Sequence, residues 1–365
     1  MLRVLHVAET LPGGIATYLR ELVPLQAADP TVEQVRVLAP QNQLSHLSEI
    51  PSHLVVGYIR SGRNPISLLN LAMALRRQTA LFQPHIVHLH SSFAGAIGRA
   101  MRPFLPKDVK LVYCPHGWGF SRDENGVARQ IYAWLELWLA HFADAWIAIS
   151  RHEAKAASAV GIDTNHMWLI HNGIGEAPKL TAAPLAADSQ YLNLLFVGRH
   201  DRQKGLDVLL AAMGQLTDLN IRLHVVGAAT QGKEQDRPDL KNVTWLGWCS
   251  GAELIAQYRA CDAVVMPSRW EGFSLVALEA MREGRAVIAS QHGSLAEAVG
   301  DCGAYFPIDD LPKLVQLLRN QKKEQLATWG RQARRRYEAL FRSERMHREI
   351  LMLYQALRSE DSCVS

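Results

Sequence analysis

Two stretches of the 365-residue chain combine carboxylates, cations and glycines at spacings suited to a charged, hydroxyl-rich ligand. Pro267-Ser268-Arg269-Trp270-Glu271-Gly272-Phe273-Ser274 runs into Leu275-Val276-Ala277-Leu278-Glu279-Ala280 and places two carboxylates eight residues apart. Gly272 permits a tight turn with close backbone approach, and Ser274 is a good N-cap for the helix that follows. Glu271 then stands in the loop and Glu279 about five residues into the helix, about 8 Å along its axis. Two acceptors flanking free helix N–H groups suit a polyhydroxyl ligand with a phosphate between its ends. Glu279 could equally be an ordinary surface residue, yet its neighbours Val276, Ala277, Leu278 and Ala280 are apolar, and a carboxylate there needs a partner.

The second stretch is Phe196-Val197-Gly198-Arg199-His200-Asp201-Arg202-Gln203-Lys204-Gly205. A strand delivers a glycine and then cations before the next helix, the place where open α/β sheets bind ligands. Arg199 and Lys204 are placed there to hold a diphosphate; a plain solvated loop is the alternative. His116, in Pro115-His116-Gly117, ends another strand, where a lone histidine is ordinarily just hydrogen-bonded. His88 and His90 alternate along a strand and share one side, but no third ligand lies near in sequence. A structural or cleft-lining role is therefore expected for that pair rather than a metal.

The elements that must position these groups alternate short β-rich runs with longer helical patterns, the signature of βαβ units. Strands are expected at Leu2–Ala8, Val35–Ala39, Ile86–His90, Val109–Cys114 and Trp146–Ile149, then at Leu192–Val197, Arg222–Val226, Val243–Leu246 and Ala263–Met266. Helices are expected at Ile66–Leu81, Phe93–Met101, Val127–Phe142 and Leu206–Met213. In the third, Ile131, Trp134, Leu135, Trp138, Leu139 and Phe142 form one stripe, which predicts core packing. Trp248 is likewise expected to pack, with stacking near a nucleotide base as the other reading. An Ala- and Pro-rich stretch, Gly175 to Ser189, breaks the alternation and reads as a linker. The expected division is residues 1–178, a linker at 179–190, a second domain at 191–342, and a helix near 343–360 that returns to the first domain. Two such series imply an α/β protein of two Rossmann-like domains facing a central cleft.

Composition narrows the class. Hydrophobic residues make up 48% of the chain, which excludes wholesale disorder, and a net charge of +4 is too small to argue for nucleic acid. Five scattered cysteines without a C-x-x-C pair argue against disulfides or structural zinc and fit a reducing, cytoplasmic compartment. No signal peptide or membrane span is read from the sequence. The charge is uneven, however. Ile50 to Lys107 holds seven cations (Arg60, Arg63, Arg76, Arg77, Arg99, Arg102, Lys107) and no acid, and residues 321–350 hold nine Lys/Arg against four Glu. With Leu68, Leu69, Leu71, Met73 and Leu75 interspersed, the first span reads either as an anionic-membrane face or as solvated helices whose leucines pack inward. Arg342, Arg345 and Arg348 are candidates to extend that basic face, against the plainer reading of a solvated helix.

Taken together, the E-x7-E element, the Gly-Arg…Lys-Gly loop, ALEAMREGRAVIAS and GSLAEAVGD resemble the retaining GT-B glycosyltransferases of family 4. Pro12-Gly13-Gly14, HIVHLHSS, VYCPHGWGF and DAWIAIS extend the resemblance over nearly the whole chain. It implies a GT-B fold and a hexosyltransferase that uses a nucleotide diphosphate sugar such as a UDP-sugar. By resemblance, Arg199 and Lys204 neutralise the donor diphosphate, Glu279 takes the ribose hydroxyls and Glu271 the sugar hydroxyls. Gly272, Phe273 and Ser274 assist Glu271, Gly13 and Gly14 approach the phosphate or sugar, and His116 meets the sugar near the reacting carbon, so that His116 and Glu271 are the catalytic candidates. No D-x-D pair occurs, so neither metal nor other cofactor is expected, the cations and a helix N-terminus stabilising the departing diphosphate. The implied acceptor is a polyprenyl-diphosphate-linked saccharide of bacterial exopolysaccharide, capsule or O-antigen synthesis, at the inner face of the cytoplasmic membrane. Phe93 departs from relatives that often carry Lys after HSS. A GT-B sugar-nucleotide 2-epimerase and a non-catalytic nucleotide-sugar-binding protein are the alternatives.

Overall fold

A computed structural model describes residues 1–121, 126–178, 190–229 and 237–362. The expected linker at 179–190 lies outside the described residues except for Gln190. Two compact units emerge: Met1–Gly173 together with Ser343–Ser365, and Ile174–Arg342.

The first unit is built on β1 (Leu2–Ala8), β2 (Val32–Pro40), β3 (Val55–Tyr58), β4 (Ile86–His90), β5 (Lys110–Cys114), β6 (Ala145–Ala148) and β7 (Met167–Leu169). These pair in parallel in the order β3-β2-β1-β4-β5-β6-β7. The central strands are buried on both faces, so Leu2–Ala8 is mostly apolar and Ile86–His90 alternates apolar residues with the buried His88 and His90. The connecting helices are α1 (Gly14–Ala28), α2 (Pro65–Phe82), α3 (Ser92–Ala100), α4 (Gly126–Ala140) and α5 (Arg151–Ala159). Strand order reverses between β1 and β4, so right-handed crossovers send α1 and α3 to opposite faces and open a crevice at the strand ends. Residues with positive φ follow the strands around that crevice: Gly13 (φ 97) after β1, Ser91 (φ 76) after β4 and His116 (φ 52) after β5. Gly13, at ψ −148, occupies a region open only to glycine.

The second unit repeats the plan with β8 (Leu192–Val197), β9 (Ile221–Val226), β10 (Val243–Gly247), β11 (Ala263–Met266), β12 (Ala286–Ser290) and β13 (Gly303–Phe306). Their order is β10-β9-β8-β11-β12-β13, which puts the reversal between β8 and β11. The helices are α6 (Leu206–Gly214), α7 (Gly251–Ala260), α8 (Leu275–Arg282), α9 (Gly293–Val299), α10 (Leu311–Arg319) and α11 (Lys323–Leu340). The last helix, α12 (Ser343–Ser362), belongs to the first unit, where its Tyr354 and His347 reach β4 and the end of α1.

Two sequence expectations change here. The α4 stripe is not core: Ile131, Trp134 and Trp138 are 58%, 66% and 53% exposed, and only Leu139 of that set is buried. The helix instead turns Glu136 inward, where it pairs with the fully buried Arg99 at 2.6 Å and accepts from the Tyr113 hydroxyl at 3.0 Å. Arg99 lies over the Tyr113 and Trp146 rings, and Tyr132, Ala133, Leu137 and Ala140 of α4 pack on the same core, so the inward face is this set together with the ion pair. Trp248, expected to pack, is 70% exposed.

The basic span is also less free than its charge count implies. Arg60 and Arg63 pair with buried Glu9, Arg99 with Glu136 and Arg102 with Asp144. Arg76, Arg77 and Lys107 remain exposed. In the tail, Arg345 turns into the unit onto Glu349 and the His171 carbonyl, and Arg342 pairs with Glu176. Of the three cations considered there for a basic face, Arg348 is the exposed one.

Candidate functional site

The β8 and β11 loops meet at the reversal point of the second sheet. Gly205 makes this approach possible: it is left-handed (φ 66), and a Cβ there would lie 1.8 Å from the Pro267 carbonyl oxygen. Arg269 ties the loops from the other side, donating through both Nη atoms to Asp207 at 2.9 and 2.6 Å and to the Arg202 carbonyl. These hydrogen bonds hold the Asp207 carboxyl below its usual range. The Gln203 amide adds a link to the Trp270 carbonyl.

Inside this frame the predicted groups converge. Lys204 Nζ stands 2.6 Å from Glu271 Oε1, which also accepts from Ser268 Oγ at 2.8 Å. Arg199 reaches Asp201 at 3.1 Å and Gln203 at 2.8 Å. Each cation thus has a carboxylate partner before any ligand arrives. Glu279 finds the partner its apolar setting demanded in Tyr258 of α7, whose hydroxyl donates to it at 2.7 Å. Burial, reinforced by that carboxylate, pushes the Tyr258 phenol well up, so it stays protonated as a donor. Tyr258 lies 21 residues before Glu279, and no local pattern points to it, because only the packing of the fold brings its hydroxyl to that carboxylate.

Three details define the glycine–serine turn, of which the Ser274 cap differs from expectation. The left-handed backbone belongs to Gly205, and Gly272 does not take up a positive φ. Ser274 occupies the N-cap position of α8, but its side chain makes no capping bond. Its hydroxyl is buried with no protein partner among the described residues, next to the free N–H groups of the first helical turn. Phe273 is buried against the Phe341 ring at 5.5 Å and anchors the turn.

In the first unit His116 is half-buried at the β5 end, and the third histidine that sequence spacing did not supply arrives from β1. His6 pairs in register with His88, and Ala8 with His90, so His6, His88 and His90 share one side of the sheet. Their ring nitrogens lie within 4.8 Å of one another, close enough for a metal by distance. Hydrogen bonds already engage them: His6 Nδ1 to His90 Nε2 at 2.9 Å, and His88 Nδ1 to the Tyr354 hydroxyl at 2.7 Å. Strand register is a long-range property, and no local pattern announces it. Nearby, Glu9 at the β1 end holds Arg60 and Arg63, and Arg63 lies over the Phe93 ring at 4.7 Å.

Comparisons with known proteins cover both units. Residues 12–176 match the family model described as Glycosyltransferase Family 4, and residues 192–320 match that described as Glycosyl transferases group 1. An uncharacterized 41.2 kDa protein in the cps region of Klebsiella pneumoniae is 32% identical over 341 residues, 88% of this chain and 93% of that protein. Among solved structures, sucrose-phosphate synthase from Thermosynechococcus elongatus superposes with a TM-score of 0.79 at 22% identity, over 99% of this chain and 100% of that one. Anabaena HepE in complex with UDP-glucose does so with a TM-score of 0.76 at 20% identity, over 98% of this chain and 100% of that one. These likenesses place the two sheets in the two-domain GT-B fold.

Proposed function

The chain belongs to glycosyltransferase family 4, and from that premise we propose that it transfers a hexose from a nucleoside diphosphate sugar to a saccharide acceptor with retention of anomeric configuration. The observation that carries this reading is the pairing of Lys204 with Glu271, beside Arg199 on Asp201, at the reversal point of one sheet, with buried Ser274 at the start of α8 and Glu279 within that helix. The HepE complex with UDP-glucose supports a UDP-sugar as the donor class.

Charge arithmetic shapes the mechanism. Arg199, Lys204, Asp201 and Glu271 sum to zero, so a diphosphate is not drawn in by naked cations. It exchanges partners instead: the phosphates take Lys204 and Arg199 together with the α8 N–H groups, and the freed Glu271 carboxylate turns to the sugar hydroxyls. Glu279, held by Tyr258, accepts from the ribose hydroxyls. As the glycosidic bond to phosphate breaks, charge grows on the departing diphosphate, where prearranged cations and helix N–H groups lower the barrier. His116 contacts the sugar, and Gly13 and Gly14 let the start of α1 approach the phosphate or sugar. In this account the cations and α8 supply the charge stabilisation, so the reaction needs no divalent metal; activity should survive exhaustive chelation, and loss restored by Mn²⁺ would contradict this.

The acceptor we propose is a polyprenyl-diphosphate-linked saccharide, with the protein peripheral at the inner face of the cytoplasmic membrane. The cps-region relative supports a polysaccharide product. No described helix is long and apolar enough to cross a membrane. Support for surface contact comes from α2 and α4, which both pack on the same core and expose apolar stripes outward. Ile66, Leu69 and Met73 lead into Arg76 and Arg77 on α2, while Leu71 and Leu75 point inward. Val127, Ile131, Trp134 and Trp138 form the α4 stripe beside Arg129. Tryptophan and arginine beside exposed aliphatic groups suit an anionic headgroup layer. The test is nucleoside diphosphate release from a panel of sugar nucleotides, with and without membrane extract. Release that depends on extract supports transfer to lipid; interconversion of the donor without acceptor indicates an epimerase.

A further inference from the structure

His116 ends a chain of buried rings. Its Nε2 lies 2.9 Å from His90 Nδ1, His90 Nε2 lies 2.9 Å from His6 Nδ1, and His6 Nε2 lies 2.7 Å from Gln26 Oε1. Four side chains from the β5 end, β4, β1 and α1 therefore form one unbranched series of hydrogen bonds. Burial pushes His6 down to about 4 and His116 down to about 3, and His88 and His90 well below the usual imidazole range. At neutral pH each ring is then neutral, with one N–H and one lone pair.

That condition gives the series a direction. A carboxamide oxygen only accepts, so His6 carries its proton on Nε2 and offers the Nδ1 lone pair to His90. His90 in turn carries its proton on Nε2 and offers Nδ1 to His116. Gln26 Oε1 closes the series on His6, and beside it the Tyr354 hydroxyl meets His88 Nδ1 at 2.7 Å. His88 lies tilted against His90 with 4.2 Å between ring centroids, and Tyr18 packs edge-on against His116 at 4.7 Å. His116 itself holds a left-handed backbone, uncommon for a non-glycine residue and often found where a site over-determines its geometry.

We infer that Gln26, His6 and His90 are positioning residues that hold His116 as the Nε2–H tautomer, so that its Nδ1 meets a substrate hydroxyl as a hydrogen-bond acceptor. The functional half of this inference rests on His116 contacting the donor sugar. The series fixes a tautomer and does not conduct a proton away, because the Gln26 amide cannot take one up at its closed end. His116 is thereby set to orient a hydroxyl of the sugar.

The test is two-bond ¹H–¹⁵N spectroscopy of the full-length protein labelled at histidine, with the His116 signals assigned by their loss in His116→Asn. The expected result is Nε2 protonated and Nδ1 bare in the unsubstituted protein. His90→Asn, whose side-chain oxygen can stand where His90 Nδ1 accepts, should keep this tautomer. His90→Leu and Gln26→Leu should shift His116 to a mixture while the backbone amide spectrum keeps its native dispersion. In turnover, His90→Leu should lose about tenfold and His90→Asn recover most of it, the equivalent of one ordinary hydrogen bond. A His116 protonated on Nδ1 in the unsubstituted protein would overturn the inference even if the substituted chains failed to fold. So would an unchanged tautomer in folded His90→Leu. Because the tautomer is read without substrate, its failure is distinguishable from failure of the sugar-transfer reading.

Discussion

At the scale of single residues, the two cations proposed to hold the donor diphosphate are already paired, Lys204 with Glu271 and Arg199 with Asp201. The exchange of partners predicts a split between binding and turnover. Glu271→Gln removes the anion that competes for Lys204, so affinity for free UDP should hold or rise, while transfer falls about 100-fold as the sugar loses its acceptor. Calorimetric titration beside steady-state kinetics checks this; a parallel loss of UDP binding would contradict the exchange. The buried imidazoles make a second prediction. His6, His88 and His90 have folded pKa values below the unfolded value near 6.5, so between about pH 6.5 and 4 the unfolded chain binds more protons. Stability contributed by these rings is fully present above about 6.5 and is lost as pH falls toward the folded values, at about 1.4 kcal/mol per pH unit for each ring. Urea midpoints of the first unit should drop steeply from pH 7 to 5, and a flat profile would show that the rings are not buried as neutral groups.

At the scale of elements, the two faces of α4 should respond oppositely to substitution. Glu136→Ala strands the Arg99 guanidinium in the core and should cost about 3–5 kcal/mol in chemical denaturation. Trp134→Ser with Trp138→Ser should leave stability within about 0.5 kcal/mol, since both are exposed, yet abolish binding to anionic vesicles in a flotation assay. Vesicle binding that survives the double substitution would remove α4 from the membrane face. The same helix shows where sequence pattern misleads: its stripe has helical period, but periodicity does not say which side is inside, and the inward side carries Tyr132, Ala133, Leu137 and Ala140 round the Glu136–Arg99 pair. Leu2–Ala8, Ile86–His90, Leu192–Val197 and Ala263–Met266 were legible to the residue, whereas the equally buried β6 was read one residue late and β12 was not read as a strand at all. Short β3 and β7, of four and three residues, carry too few apolar positions to stand out. The motif loops were legible because their chemistry is contiguous, whereas Tyr258 at Glu279 and His6 at His90 depend on packing and strand register between distant segments.

At the scale of the whole molecule, each unit carries its own reversal of strand order, and each set of motif residues gathers at one. The net charge of +4 sums many internal pairs, so sequence counts overstate the basic surface: Arg60, Arg63, Arg99 and Arg102 are paired, and Arg76, Arg77 and Lys107 lie exposed. The proposed reaction is transfer of one hexose from a nucleotide diphosphate sugar to a lipid-linked saccharide. Mass spectrometry of the organic extract, after incubating the protein with UDP-hexoses and membrane extract in the presence of chelator, tests it most directly. The expected result is a lipid-linked species heavier by one hexose, formed in step with UDP release and absent with Lys204→Ala. Donor converted to an isomer with no gain of mass in the lipid fraction would contradict it.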